Sequence, residues 1–163
     1  MTETDTPVGS EVVVREMHWW DIDSIVQIEE SVFPHSAWTT ETFWAELARA
    51  PDSRAYFVAT CRGEVVGYAG LMCMAADADI QTIAIAAGRR RQGIADTLMR
   101  HLLRTAQERG STRVFLEVGA DNAAAIALYH RWDFEVTATR RSYYGPGQDA
   151  LVMRRILGRG TLQ

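Results

Sequence analysis

Residues 114–134, VFLEVGADNAAAIALYHRWDF, contain the strand-to-helix transition that decides the fold. Alternation along the strand places Val114, Leu116 and Val118 on one face, and Phe115 and Glu117 on the other. Helical segments flank this strand on both sides in the sequence, and both faces of such a strand are normally covered. We therefore expect the Glu117 carboxylate to line an opening in the structure.

The helix that follows this strand carries two polar residues on one face. Asn122 and Tyr129 are seven residues apart, which corresponds to two helical turns. Alanines at 123–125 and 127 keep the helix slim enough for a ligand to lie against it. His130 points about 100° away from Tyr129 and is expected to face solvent.

Strands and helices alternate outward from this segment in both directions. The predicted elements are a strand near Val12 to Arg15, helices over 20–32 and 40–49, a hairpin over 54–74, a strand over 79–86, a helix within 89–110, a strand over 112–118, a helix over 122–132, and strands over 134–140 and 150–156. Thr39 is the expected N-cap of the second helix. Arg62 and Gly63 are expected to form the hairpin turn, and Gly110 to end the third helix. This order predicts one α/β domain over 11–157, with flexible tails at 1–10 and 158–163.

The composition limits the classes of function. The 163 residues are 47% hydrophobic and 23% charged, which suits one globular domain. A net charge of -4 argues against direct nucleic-acid binding and is compatible with a basic protein partner. Cys61 and Cys73 show neither metal-site nor disulfide spacing. The first residues lack a signal peptide and no apolar segment is long enough for a membrane span, so we expect a cytoplasmic protein away from membranes.

A basic turn precedes the third helix in residues 83–96, IAIAAGRRRQGIAD. Gly93 at the helix start leaves backbone N–H groups uncovered, and such a helix end attracts phosphate oxygens. Three arginines at 89–91 strengthen the positive field. The stretch is neither a Walker A loop nor a GxGxxG turn. A plain solvated helix start remains the alternative interpretation.

These residues resemble the GCN5-related N-acetyltransferase (GNAT) superfamily, and in particular its RimI branch of bacterial protein N-terminal alanine acetyltransferases. The acetyl-CoA motif of the superfamily, Arg or Gln, two residues, Gly, one residue, Gly or Ala, is met by Arg90, Gly93 and Ala95. The RimI-like segments are LEVGADNAAAIALYHRWDF, RRSYYGPGQDALVM and FPHSAWTTETF. The resemblance covers most of residues 12–157.

The resemblance implies a splayed mixed sheet flanked by helices, with acetyl-CoA as co-substrate in the V between two strands and no metal. The implied cofactor contacts are Ile83, Ala84 and Ile85 for the pantetheine and acetyl carbonyl, Arg90, Arg91, Gln92, Gly93, Ile94, Ala95 and Asp96 for the phosphate turn, and Asn122 and Tyr129 along the groove. The resemblance also implies that Glu117 is the general base and Tyr129 the general acid.

The implied reaction is acetyl transfer to the α-amine of a protein N-terminus, with a basic ribosomal protein that begins with alanine as the expected partner. An α-amine titrates about 3.7 units above an ordinary glutamate, and a lysine amine about two units higher again, so a single carboxylate base favours the α-amine. Partial desolvation of Glu117 is expected to narrow this gap. Tyr143 and Tyr144, in a Gly/Pro loop, are candidates for a substrate wall, with loop packing as an equal alternative.

Two departures and two alternatives accompany the resemblance. Residues 86–91 replace the family's usual acidic-proline lead into the turn, and Asp133 replaces its usual glycine, although Asp tolerates a left-handed conformation.

The alternative functions are acetylation of a small-molecule amine or a lysine side chain, and non-catalytic acyl-CoA binding. The four tryptophans at 19, 20, 38 and 44 are expected to pack in the core or between helices.

Overall fold

A computed structural model describes residues 11–158 of the chain, so the predicted tail at 1–10 and all but Gly158 of the predicted tail at 158–163 lie outside the described residues. The elements, in chain order, are β1 (Val12–Glu16), α1 (Ile22–Val32), α2 (Thr40–Leu47), β2 (Arg54–Cys61), β3 (Glu64–Met74), β4 (Asp77–Ile85), α3 (Ile94–Glu108), β5 (Arg113–Gly119), α4 (Ala123–Arg131), β6 (Glu135–Arg140) and β7 (Ala150–Ile156). Short 3-10 turns precede α1 and α3. The order and type of the predicted elements are confirmed.

The strands form one seven-stranded sheet in the order β1-β2-β3-β4-β5-β7-β6. Every neighbouring pair is antiparallel except β4 and β5, which are parallel. The parallel pair is joined through α3, as a crossover connection requires. The prediction of a mixed α/β sheet in a single domain is therefore confirmed.

Helices cover both faces of the sheet. One face packs against α3 and α4 through a cluster that includes Leu98, Leu102 and Leu116. The opposite face packs against α1 and α2 through a second cluster that includes Ile25 and Phe43. Burial on both faces explains why the central strands are rich in apolar residues.

The two parallel strands separate after only four residues. Asp77–Ile80 of β4 pairs with residues 113–116 of β5, and beyond this point both strands continue without pairing to each other. The register between β3 and β4 shifts at Gln81, which is an extra residue in β4. Because a bulge bends its strand, β4 leaves β5 at this position. The splayed sheet that the resemblance implied is therefore present.

Two residues of neighbouring strands hold the bulge. The Tyr56 hydroxyl donates a 2.7 Å hydrogen bond to Oε1 of Gln81. A Cβ at Gly70, which pairs with Tyr56 in β2 and with Thr82 in β4, would overlap the Tyr56 ring. Glycine at this position therefore lets the ring lie across β3 and reach the bulge.

The prediction of a helix over RRRQGIAD is wrong at its start. The chain forms a 3-10 turn at Ala87–Arg89, and α3 begins only at Ile94. Arg91 and Gly93 adopt φ values of 62° and 76°, which a right-handed helix excludes. The expected N-cap at Thr39 is confirmed, because its hydroxyl accepts a 3.2 Å bond from the amide of Thr42.

The expected packing role holds for one tryptophan and fails for three. Trp38 packs against Phe43, with ring centroids 5.5 Å apart. Trp19, Trp20 and Trp44 are 59%, 58% and 47% exposed, and at the surface Trp19 stacks on Trp44 and meets Trp20 edge-on. Helical periodicity cannot reveal that α1 and α2 leave this side uncovered, because the periodicity describes one element at a time.

No helix among residues 11–158 is long and apolar enough to cross a membrane.

Candidate active site

The divergence of β4 and β5 produces a V-shaped groove with free strand edges on both sides. Residues 83–85 of β4 pair with β3 on one side only, so the backbone groups on their other edge face the groove. These are Ile83, Ala84 and Ile85, which were predicted to bind the pantetheine. Glu117 is the first residue of β5 beyond the paired segment. The carboxylate therefore lies at the point where the V opens.

The start of α3 offers unpaired amides to the same groove. The first amide to enter the helical ladder is that of Thr97, which donates to the Gly93 carbonyl at 3.1 Å, so the amides of residues 94–96 project from the helix end. Apart from the two chain neighbours of Gly93, no atom of residues 11–158 lies within 4 Å of the position that a Cβ on Gly93 would occupy. Arg90 and Arg91 are exposed beside it. Open space, free amides and positive charge fit a pyrophosphate group.

Two residues predicted for the phosphate turn use their side chains elsewhere. Ile94 is 2% exposed and packs in the core, so it can offer only its backbone amide. The Asp96 carboxylate accepts a 2.7 Å bond from Nε1 of Trp132 and a 3.2 Å bond from Nη2 of Arg131. These contacts join the start of α3 to the end of α4 and neutralise a charge that would repel phosphate.

Asn122 and Tyr129 lie at opposite ends of α4. The Asn122 side chain caps the helix by accepting a 3.2 Å bond from the amide of Ala125, which leaves its Nδ2 group unused by the cap. Tyr129 is 6% exposed, and its ring meets Phe134 edge-on at 6.1 Å. Among the described residues, the Tyr129 hydroxyl has no hydrogen-bond partner. Burial first, and then the nearby Tyr144, raises the pKa of Tyr129 to about 12.

The turn after α4 survives the replacement of glycine by Asp133. Asp133 adopts a φ of 62°, and the amide of Phe134 donates to the Tyr129 carbonyl at 3.0 Å. The amide of Asp133 donates to the His130 carbonyl at 3.0 Å, which completes a Schellman motif. His130 is exposed, as expected.

Glu117 shares one face of β5 with Phe115, whereas the buried Val114, Leu116 and Val118 lie on the opposite face. Its side chain is 30% exposed and forms an ion pair with Arg140, with Oε1 3.2 Å from Nε. The expected desolvation is thus limited, because solvent and a cation both reach the carboxylate.

The β6–β7 loop brings the two predicted substrate-wall residues to the same face. Tyr143 and Tyr144 are about half exposed, and their rings meet edge-on at 5.2 Å. Partial burial, and then the charge of Glu117, raises the pKa of Tyr144. The Asp149 carbonyl accepts a 2.9 Å bond from the amide of Ala120, which ties the loop to the end of β5. The structure therefore brings Glu117, Tyr144 and Tyr129 into one electrostatic neighbourhood.

Two residues of this neighbourhood were missed from the sequence. Arg140 ends β6, two strands away from β5, and Asp79 lies in β4 directly opposite Phe115. Burial, and then the charges of Glu117 and Asp77, raise the pKa of Asp79. Alternation within each strand could have placed both on a polar face, but only the strand order shows that these faces meet.

Known proteins share this arrangement. The profile of the Acetyltransferase (GNAT) family matches residues 19–134 of the chain. The chain belongs to the GNAT acetyltransferase family. Its members transfer an acetyl group from acetyl-CoA, which fits the V-shaped groove and the open amides of α3.

Relatives and solved structures cover nearly the whole of this acetyltransferase. The [ribosomal protein bS18]-alanine N-acetyltransferase of Escherichia coli K12 is 31% identical over 145 residues, spanning 86% of this chain and 94% of its own. A Bacillus subtilis relative is 35% identical over 145 residues, spanning 88% of this chain and 95% of its own. The solved structure of Ard1 from Thermoplasma volcanium superposes with a TM-score of 0.84 at 29% identity, covering 91% of this chain and 99% of that one.

Proposed function

We propose that this acetyltransferase acts on the α-amine of a protein N-terminus, with a ribosomal protein that begins with alanine as its substrate and the cytoplasm as its location. The observation that carries the proposal is the place of Glu117, a carboxylate at the mouth of the groove where the acetyl group of acetyl-CoA would lie. The relatives named for ribosomal-protein alanine acetylation match the chain over almost its full length, which supports this class of substrate.

Glu117 and Tyr129 have separate roles in the proposed reaction. Glu117 accepts a proton from the substrate ammonium, and the neutral amine then attacks the thioester carbonyl. As the carbon–sulfur bond breaks, negative charge develops on sulfur. Tyr129, with a pKa of about 12, keeps its proton throughout the neutral range and can donate a hydrogen bond to that sulfur.

The raised pKa of Tyr129 also defines what the residue does. A thiol titrates near 8.5, so complete proton transfer from a phenol with a pKa of about 12 is unfavourable by roughly 3.5 units. Tyr129 therefore acts mainly by stabilising the departing thiolate through a hydrogen bond. Glu117 passes the ammonium proton to solvent. The attacking nitrogen loses a second proton as the tetrahedral adduct collapses to the amide, and the departed thiolate takes up a proton from solvent.

The direct test mixes the purified protein with acetyl-CoA and short peptides that begin with Ala, Ser or Gly and contain an internal lysine. The same peptides with a blocked N-terminus are the matched control, and tandem mass spectrometry locates the added acetyl group. We expect acetyl on the free α-amine and none on the blocked peptide. Because the enzyme itself contains no lysine, every acetyl-lysine found would belong to the peptide.

Acetylation confined to the internal lysine would overturn the N-terminal proposal. Acetylation of polyamines or aminoglycosides in place of every peptide would favour the small-molecule alternative. Tight CoA binding without transfer to any amine would indicate a non-catalytic acyl-CoA module.

A further inference from the structure

The ion pair of Glu117 joins two strands that are not neighbours. Arg140 in β6 pairs with Ala150 of β7, and Glu117 in β5 pairs with Val152, so the arginine reaches across β7 to the carboxylate. Its side chain is 54% exposed, and that of Glu117 is 30% exposed. Exposed pairs of this kind add little to stability and exchange readily with other charges. The pair therefore needs an explanation other than holding the sheet together.

Arg140 also contacts the ring of Tyr143. Its guanidinium carbon lies 5.3 Å from the centre of the Tyr143 ring, a favourable distance for a cation over an aromatic face. Tyr143 belongs to the loop that faces Glu117. An arginine released from the carboxylate would keep this contact, which lowers the cost of its release.

The charges around Glu117 do not balance. Asp79 lies on the same polar face, and no cation within residues 11–158 forms an ion pair with it. The other nearby acid, Asp77, is neutralised by Arg113 at 2.7 Å. Arg140 thus pairs with Glu117, while the neighbouring carboxylate of Asp79 has no ion-pair partner among the described residues. A cationic group of the substrate could approach the face at this position.

We propose that Arg140 is a placeholder for the ammonium group of the substrate: it neutralises Glu117 in the free enzyme and gives up that carboxylate when an α-ammonium binds. This inference rests on the proposed function, because it assigns the displaced contact to the amine that is to be acetylated. Arg140 is a positioning residue in this scheme. It pairs with the Glu117 carboxylate and orients it, and it then retains its contact with Tyr143 as the amine takes its place.

A placeholder competes with its ligand, so its removal should tighten binding of the ligand. We expect Arg140→Gln to bind an alanine-initiated peptide about two- to five-fold more tightly than the wild type, because the substrate no longer has to break an exposed ion pair. The Nα-acetylated form of the same peptide carries no ammonium, so its affinity should not change. A residue with only a structural role would not separate these two peptides.

Calorimetry of both peptides with the full chain, in the presence of CoA without an acetyl group, measures this difference. Arg141→Gln is the matched control, because it removes the same charge from the next residue, for which no ion pair with Glu117 is found among the described residues. Arg140→Lys keeps the charge and should bind both peptides as the wild type does. Circular dichroism verifies that each variant is folded.

The inference is overturned if Arg140→Gln binds the free-amine peptide no more tightly than the wild type, if Arg141→Gln tightens it equally, or if the wild type does not distinguish the free peptide from the blocked one. Failure of the proposed function gives a different result. In that case acetyl-CoA yields no transfer to the peptide, whatever the binding comparison shows for Arg140.

Discussion

The Glu117 and Tyr129 side chains differ in their exposure to solvent. The Glu117 side chain is 30% exposed and pairs with the exposed Arg140, whereas Tyr129 is 6% exposed within the core. The pKa of Tyr129 is raised to about 12, so its phenol remains protonated well above pH 9. A rise from pH 7 to pH 9 therefore changes the protonation of the substrate amine without ionising Tyr129. This makes the two roles separable by pH.

Replacement of the base should be partly compensated by alkaline pH. We expect Glu117→Gln to lower turnover about 10² to 10⁴-fold at pH 7, because the amide cannot accept the amine proton. At pH 9 more of the α-amine is already neutral, so part of the activity should return. A pH–rate profile measures both effects. Full activity of Glu117→Gln at pH 7 would mean that the carboxylate is structural.

Replacement of the proposed hydrogen-bond donor should not be compensated by alkaline pH. We expect Tyr129→Phe to lower turnover about 10²-fold, because the thiolate loses a donor in a buried site. Higher pH reduces the proton supply and offers the leaving group nothing. The ratio of wild-type to variant rate at pH 7 and at pH 9 is the measurement. If that deficit shrinks in parallel with that of Glu117→Gln, the division of roles is wrong.

At the scale of elements, α3 has a glycine with positive φ at each end. Gly93 at the start has a φ of 76°, and Gly110 just after the end has a φ of 84°. Apart from the adjacent residues in the chain, a Cβ on either glycine would meet no atom of the described part of the protein within 4 Å. The two positions therefore impose the same backbone demand, while only Gly93 lies beside the amides offered to the phosphates.

Comparing alanine substitutions at the two glycines distinguishes the cost of a positive φ from an effect on cofactor binding. We expect Gly93→Ala and Gly110→Ala each to lower the free energy of unfolding by about 1 kcal/mol, since alanine is disfavoured at positive φ. Only Gly93→Ala should weaken acetyl-CoA binding, by about ten-fold, because its Cβ enters the space required by the pyrophosphate. Urea denaturation and calorimetry give the two quantities. Equal losses of affinity would show that the glycine serves only to start the helix.

At the scale of the whole molecule, the groove depends on three strands acting together. The Tyr56 ring of β2 lies over Gly70 of β3 and reaches Gln81, the bulge residue of β4. The bulge then turns β4 away from β5. Gly70 is thus expected to influence the groove although it lies outside the groove itself.

A double-mutant cycle tests this dependence. We expect Gly70→Ala to lower the free energy of unfolding by about 1–3 kcal/mol, because the new Cβ overlaps the Tyr56 ring. In a Tyr56→Leu background the same substitution should be less damaging, since the ring is absent. Urea denaturation of the four proteins yields the coupling energy. A coupling near zero would mean that the ring does not hold the bulge.

Local patterns in the sequence predicted the order of the elements, the strand face of Glu117 and the position of the glycine turn before α3. These features depend on short-range physics. Side chains alternate along β5, Gly93 supplies a positive φ where the turn needs one, and the Thr39 cap satisfies amides within its own helix. Such properties belong to a few consecutive residues and can be read from them.

The charges and rings that surround Glu117 could be found only from long-range packing. The strand order places β6 beside β7 and not beside β5, yet Arg140 still reaches Glu117 across the intervening strand. The exposure of Trp19 and Trp44 likewise depends on what other elements leave uncovered. Periodicity specifies which side chains share a face, but long-range packing specifies what that face meets, because residues far apart in the chain supply the partners.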